Sequence, residues 1–220
     1  MTASSTGRAL PASAPTAAAR AATLRLAGIL VAAAGLLQIA AWFLPLDLAV
    51  TGVGRLGALI AAALLAAAAS ALARGSDAKG GIAGRTGAAA FLVVAVLLVL
   101  RPLVAWFSPS GAEPTRGMAI ASALVLVMGA VAIVAAVVGL VALHRARTAR
   151  TSVTVVGLVA VVATAAQGYV PSLGLLVDST PSQELLLALW TIGSFAEALS
   201  LIAFGAVMLL ASRSIGRETR

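Results

Sequence analysis

Cysteine is absent from the 220 residues, and histidine, lysine and acidic residues are scarce. Without cysteine the chain has no disulfide framework, thiol nucleophile or thiolate metal site. The single histidine, His144, lies in the basic segment His144-Arg145-Ala146-Arg147, where no nearby carboxylate or serine completes a catalytic set or a metal site. Charged residues make up only 10% of the chain. A soluble globular protein is excluded, because its surface requires more charge than this.

The common signatures of enzymes and nucleotide-binding proteins are also missing. The segment Gly52-Val53-Gly54-Arg55 lacks the third glycine of a dinucleotide fingerprint and the Lys-Ser/Thr of a phosphate-binding loop. Aspartates occur only in segments expected to be loops, so an intramembrane pair of catalytic aspartates is not predicted. We therefore predict a protein that is not an enzyme and that needs neither a cofactor nor a metal ion.

Hydrophobic residues account for 61% of the chain and are gathered into six long runs. A helix needs about 20 apolar residues to cross the ~30 Å hydrocarbon core of a bilayer. The sequence therefore predicts an all-α integral membrane protein with six transmembrane helices. The expected spans are about 26–44, 56–73, 88–107, 118–143, 153–177 and 185–211. Gly28, Ala32 and Gly35 form one small-residue face, which favours close packing of the first span against a neighbour.

Basic residues are divided unequally between the segments that connect these spans. Cytoplasmic segments of membrane proteins are enriched in lysine and arginine, so both termini are predicted to be cytoplasmic. The cytoplasmic segments then hold Arg8, Arg20, Arg25, Arg74, Lys79, Arg85, Arg145, Arg147, Arg150, Arg213, Arg217 and Arg220, against Arg55 and Arg116 outside. This basic side predicts contact with anionic lipid headgroups. The scattered charge, without interleaved aromatic residues, does not indicate nucleic-acid binding.

The chain divides into a membrane domain and two tails. Residues 1–21 are rich in alanine, serine, threonine and proline, with too little apolar surface to drive folding, so a disordered cytoplasmic tail is predicted. Residues 22–211 form the six-helix domain, and 212–220 form a short basic cytoplasmic tail. Abundant alanine, glycine and arginine indicate a GC-rich genome. We therefore predict a multi-pass protein of a bacterial plasma membrane.

An aromatic-x-proline pattern recurs near the outer ends of spans one, three and five. The three copies are Phe43-Leu44-Pro45, Phe107-Ser108-Pro109 and Tyr169-Val170-Pro171. Their nearly constant spacing is that expected of three tandem helical hairpins, each with an aromatic anchor and a proline that stops the helix. Interfacial aromatics and prolines past helix ends occur in any membrane protein, so the same pattern also arises without duplication.

Two residues of opposite charge lie within predicted spans. Arg101 is about 9 Å and Glu197 about 18 Å from the outer ends of their spans, at the helical rise per residue. Charges at such depths are candidates for a functional site. The two side chains pair if tilt or kinking at Pro102 narrows this difference in depth. Alternatively, Arg101 extends to the headgroups, and Glu197 is protonated or bonded to a neighbouring serine.

Uncharged polar residues occur in the same half of the membrane. Together with the two charges they define a candidate intramembrane polar site of Arg101, Glu197, Gln38, Gln167, Ser194 and Ser200. Thr164 lies in the same region. Glutamine within a span also commonly bonds a neighbouring helix, so a purely structural role stays open.

Two functions of different classes fit these observations. The first is a non-catalytic accessory or scaffolding protein that interacts with lipids, with a membrane-protein partner or with a second copy of itself. The alternative is a small permease or channel-like carrier with its polar site around Arg101 and Glu197. Water access to these two residues distinguishes the alternatives.

Overall fold

The computed structural model describes residues 17–43, 52–77, 81–107, 116–146, 149–174 and 183–217. These ranges contain six α-helices and no strand. The helices are α1 (Ala17–Trp42), α2 (Gly52–Asp77), α3 (Ile82–Phe107), α4 (Arg116–Arg145), α5 (Thr151–Gly174) and α6 (Gln183–Arg217). The all-helical prediction is confirmed for this part of the chain.

Five of the helices are long and apolar enough to cross a membrane. The qualifying stretches are Ala18–Trp42, Leu56–Ser76, Ile82–Val104, Ala123–Arg145 and Ala188–Ile215. In α5 the apolar stretch found among the described residues is shorter and covers Thr151–Gln167. Five of the six predicted spans are thus supported by length and composition, and membrane crossing by α5 stays a prediction.

The helices extend beyond the predicted spans at several ends. Helix α1 begins at Ala17, inside the segment 1–21 that was expected to be disordered. Alanine is the strongest helix former, and residues 17–22 are all alanine except for Arg20. Helix α6 continues to Arg217, well into the predicted tail 212–220. Residues 1–16 and 218–220 lie outside the described residues.

The helices pack in a closed ring that follows their order in the chain. Each helix contacts the next one, and α6 returns to pack against α1. The α1–α6 interface is the most extensive of the six, and the α4–α5 interface is the least extensive. We call the end of the bundle with Ala17 and Arg217 the terminal end, and the opposite end, with Trp42 and Trp190, the far end.

Glycines allow α1 and α6 to approach closely and close the ring. A Cβ atom at Gly28 would lie 2.8 Å from the Gly205 carbonyl oxygen, and one at Gly205 would lie 2.6 Å from the Gly28 carbonyl oxygen. At Gly35, a Cβ would lie 2.7 Å from the Ala198 carbonyl oxygen. These distances are shorter than van der Waals contact, so a larger residue would push the helices apart. The predicted small face of Gly28, Ala32 and Gly35 is confirmed.

Apolar packing is concentrated in the terminal half of the bundle. Its largest buried side chains include Phe91, Leu140, Val153, Phe204 and Met208, which come from α3, α4, α5 and α6. Many large apolar side chains on the outside of the ring are exposed, among them Ile120, Leu124, Val127, Val131 and Val134 on α4. An outer surface of this kind is stable in lipid and not in water.

The third aromatic-x-proline copy differs from its prediction. Helix α5 continues through Pro171 to Gly174, so this proline does not stop the helix. Proline has no amide hydrogen, so the helix loses the hydrogen bond to the carbonyl of Gln167. The last turn of a helix tolerates the loss of this one hydrogen bond. Pro45 and Pro109 lie outside the described residues, so the other two stops and the tandem duplication stay predictions.

Candidate functional site

Glu197 is the centre of a polar cluster in the far half of the bundle. It lies on α6 and is half-buried. The side chains of Thr164 on α5 and Gln38 on α1 are placed to hydrogen-bond its carboxyl group, and the guanidinium of Arg101 on α3 interacts with it electrostatically. Four of the six helices therefore contribute a side chain. We call Gln38, Arg101, Thr164 and Glu197 the polar cluster.

Arg101 reaches this cluster from the opposite side of the ring. Helices α3 and α6 are not neighbours, because α3 packs between α2 and α4 while α6 packs between α5 and α1. Helix α3 continues through Pro102 to Phe107, so the proline does not end it. The half-buried Arg101 side chain interacts with Glu197 through its charge, and its Cζ atom lies close to Gly129 on α4. A direct Arg101–Glu197 ion pair stays a prediction.

Helix α6 extends further at the far end of the bundle than α1 does, whereas the expected depths of Arg101 and Glu197 assumed that all helices reach the same level at their outer ends. In the structure, Trp42 at the end of α1 packs against Trp190 and Phe195, with ring centroids 5.1 and 5.3 Å away. Both partners lie well inside α6, which begins at Gln183. Helix α6 therefore projects about two turns beyond α1, which brings Glu197 level with Gln38.

Tyr169 and Gly129 lie next to Arg101 on the α4–α5 side. The Tyr169 hydroxyl donates a hydrogen bond of 2.7 Å to the backbone carbonyl of Leu126 on α4. A Cβ atom at Gly129 would lie 3.1 Å from the Tyr169 Oη atom and 3.8 Å from the Arg101 Cζ atom. The pattern Tyr169-Val170-Pro171 predicted an interfacial anchor, whereas the hydroxyl instead links two helices inside the bundle.

Gln167 and Ser194 form a second polar link, between α5 and α6. The Gln167 amide nitrogen donates to the Ser194 hydroxyl at 3.0 Å, and that hydroxyl donates to the Trp190 carbonyl at 2.9 Å. Ser200 instead donates to the carbonyl of Glu197, on its own helix, at 2.7 Å. Of the six predicted site residues, Arg101, Glu197 and Gln38 come together. Gln167 and Ser194 form a separate hydrogen bond with each other, and Ser200 bonds a backbone carbonyl of its own helix.

Gln38 leaves part of its hydrogen-bonding capacity unused. Its Oε1 atom is buried and has no hydrogen-bond partner among the residues that the structure describes. Buried polar atoms without a partner are uncommon, because each costs about 1–3 kcal/mol of lost solvation. The missing partner of such an atom beside two charged side chains needs an explanation, such as a bound water molecule or a bound ligand.

The cluster provides groups that can bind a polar molecule. It combines one cation, one anion, an amide and a hydroxyl, and the only histidine of the chain lies at the terminal end of α4. All four groups can donate or accept hydrogen bonds and so orient a polar molecule.

Comparison with known proteins gives no family for this chain. No protein-family model, curated protein or solved structure matches it. The function is therefore inferred from the fold and the polar cluster alone.

Proposed function

We propose that the protein is a non-catalytic, multi-pass membrane protein that binds a small polar solute in the polar cluster and acts as a small carrier. The proposal also includes the topology and location: the protein has six spans, lies in a bacterial plasma membrane and has both termini in the cytoplasm. The observation that supports it best is the electrostatic interaction of Arg101 with Glu197, two opposite charges on helices α3 and α6, which are not neighbours in the ring. Opposite charges inside a bundle are costly, and a purely structural bundle does not require them.

The proposed orientation rests on where the arginines lie. Those described at the terminal end, apart from the half-buried Arg20, have exposed side chains: Arg25, Arg74, Arg85, Arg145, Arg150 and Arg213. A surface of this charge is attracted to the anionic headgroups of a cytoplasmic leaflet. With the terminal end in the cytoplasm, the polar cluster lies in the outer half of the membrane, where solutes reach it from outside.

A second candidate function is an accessory or scaffolding role without a solute. It is favoured by the exposed apolar face of α4, which includes Leu124, Val131 and Val134 and fits lipid, a partner helix or a second copy of the chain. In that case the polar cluster would only hold the helices together. Water would then have no path to it.

Cysteine labelling distinguishes the two functions, because the chain has no cysteine of its own. We expect Thr164→Cys to react with a membrane-impermeant thiol reagent in intact cells, since a solute site must be open to water. Thr154→Cys is the matched control, because Thr154 is a buried threonine near the terminal end of the same helix. The control should stay unreactive. An unreactive Thr164→Cys would rule out the carrier function and leave the scaffolding function.

The same method tests the orientation with two exposed positions. Phe43 at the far end is 80% exposed, and Ile82 at the terminal end is 89% exposed. We expect the impermeant reagent to label Phe43→Cys in intact cells and Ile82→Cys only after the membrane is opened. Labelling of Ile82→Cys in intact cells would contradict the proposed orientation.

A further inference from the structure

The ring of helices is closed least firmly between α4 and α5. Among the described residues this interface is the least extensive of the six, whereas α4 packs more widely against α3, and α5 packs more widely against α6. The apolar stretch of α4, Ala123–Arg145, is also the least buried of the five that are long enough to cross a membrane. A structure opens locally where the fewest packing contacts are lost, so opening of this ring costs least between α4 and α5.

The terminal half of this interface is held together by apolar packing. A Cβ atom at Gly157 on α5 would lie 2.9 Å from both the Leu140 Cδ2 atom on α4 and the Phe204 Cε2 atom on α6. We call this contact the Gly157 notch. Leu140 and Phe204 are buried, so separation of the helices here would leave a cavity in the core. This half of the interface therefore stays closed and can act as a pivot.

The far half of the interface is linked by a hydrogen bond instead. The Tyr169 hydroxyl donates to the Leu126 carbonyl at 2.7 Å. Along the two helices this bond lies about 18–21 Å from the Gly157 notch, at the helical rise per residue. Leu126 lies inside α4, so its carbonyl also accepts a hydrogen bond from its own helix. Breaking the link leaves only one neutral hydroxyl without its partner, so the link can break and form again.

The Arg101 guanidinium lies behind this hydrogen bond. A Cβ atom at Gly129 would lie 3.1 Å from the Tyr169 Oη atom and 3.8 Å from the Arg101 Cζ atom, so the tyrosine and the arginine pack closely against α4. The interface is thus closed at this level, and movement of α4 away from α5 would uncover the guanidinium. Arg101 lies only about 9 Å from the end of α3 at Phe107, so water at the membrane surface would reach such an opening.

A pivot, a breakable link and a charged side chain behind it are the parts of a gate. Building on the proposed function, we propose that the far half of the α4–α5 interface is a gate that pivots at the Gly157 notch and is held closed by the Tyr169–Leu126 hydrogen bond. When it opens, water and solute from outside reach Arg101. The structure shows the closed state.

Two matched pairs of spin labels on the full-length protein in lipid vesicles test the gate. The far pair is Val127→Cys with Ala166→Cys, and the terminal pair is Val138→Cys with Val155→Cys. All four positions are exposed. On both helices the two pairs are separated by about three helical turns, so they lie on the same faces at different levels. We expect one short distance for the terminal pair, and for the far pair a second population that is several ångströms longer.

Tyr169→Phe removes the hydroxyl that holds the gate closed and keeps the ring. It should increase the ratio of long to short distances in the far pair about fivefold, which is the factor for one neutral hydrogen bond, and leave the terminal pair unchanged. Ser194→Ala is the matched control, because it removes the 3.0 Å hydrogen bond from Gln167 on the other side of α5. The control should leave both pairs unchanged.

The rate of thiol labelling tests whether the gate leads to the polar cluster. Thr164→Cys should react with the impermeant reagent about fivefold faster when it is combined with Tyr169→Phe, because the open state is then more populated. Combination with Ser194→Ala should leave the rate unchanged.

Several outcomes would overturn the inference. It fails if the far pair shows a single distance, if the terminal pair separates as much as the far pair, or if Ser194→Ala acts like Tyr169→Phe. If Tyr169→Phe does not fold, the two pairs in the otherwise unmodified chain decide alone. Labelling of Thr164→Cys at the same rate with and without Tyr169→Phe would refute the gate and leave the proposed function standing. Absence of this labelling would refute the proposed function itself.

Discussion

Closure of the helix ring depends on the contact between Gly28 and Gly205, and Gly205→Ala tests this dependence. The new Cβ atom would lie 2.6 Å from the Gly28 carbonyl oxygen and 2.8 Å from the amide nitrogen and the Cβ atom of Ala32. Two of these atoms belong to the backbone of α1 and cannot rotate away, so the helices must separate by several tenths of an ångström. Overpacking of this kind costs about 1–3 kcal/mol, and we expect about 2 kcal/mol for this one methyl group.

Thermal unfolding of the purified protein in detergent measures this effect. A loss of 2 kcal/mol corresponds to a fall of roughly 4–8 °C in Tm for a chain of this length. Gly57→Ala is the matched control, because within the described part of the chain no atom lies within 4 Å of a Cβ built at Gly57 on α2. That variant should match or slightly exceed the stability of the unmodified chain, since alanine favours a helix over glycine. Equal Tm values for the two variants would refute the tight α1–α6 contact.

Three further substitutions test separate contacts through the same unfolding measurement. Tyr169→Phe should lower stability by about 1 kcal/mol through loss of the hydrogen bond to the Leu126 carbonyl, and an unchanged Tm would contradict that bond. Phe204→Ala should cost about 3–5 kcal/mol because the buried ring fills the notch at Gly157, and a loss below about 1 kcal/mol would show that the notch is not filled. Trp42→Ala should cost about 1–3 kcal/mol through its two ring contacts and should shift the tryptophan fluorescence, and an unshifted spectrum would argue against them.

The helices were predictable because span length and apolar composition follow directly from bilayer thickness. The small face around Gly28 was predictable for a similar reason, since a close approach of two helices requires small residues. Helix ends were less predictable, because alanine-rich flanks such as residues 17–22 extend a helix beyond the part that lipid requires. Local composition does not show where the part of a helix that lies in lipid ends, because the helix itself continues beyond that point.

The candidate site was predictable in its residue types but not in its pairings. Arg101 and Glu197 stand out in any apolar span, whereas their electrostatic interaction across the ring depends on how all the helices are arranged, which is a property of the whole bundle. The role of Tyr169 was missed because its partner is a backbone carbonyl. Every residue has one, so the sequence does not indicate which carbonyl is bonded. Thr164 carries a weaker signal, since one hydroxyl within a span usually bonds its own helix.

The central claim is that Arg101 and Glu197 act as one coupled unit across the ring, and a double-mutant cycle tests it most directly. Arg101→Met and Glu197→Met are each expected to lower the free energy of unfolding by about 2 kcal/mol. This is less than the ~3–5 kcal/mol of a fully buried pair, because Glu197 is only half-buried. Each single variant leaves the other charge without its partner, so the double variant should lose clearly less than the sum of the two. Strictly additive losses would contradict the claim.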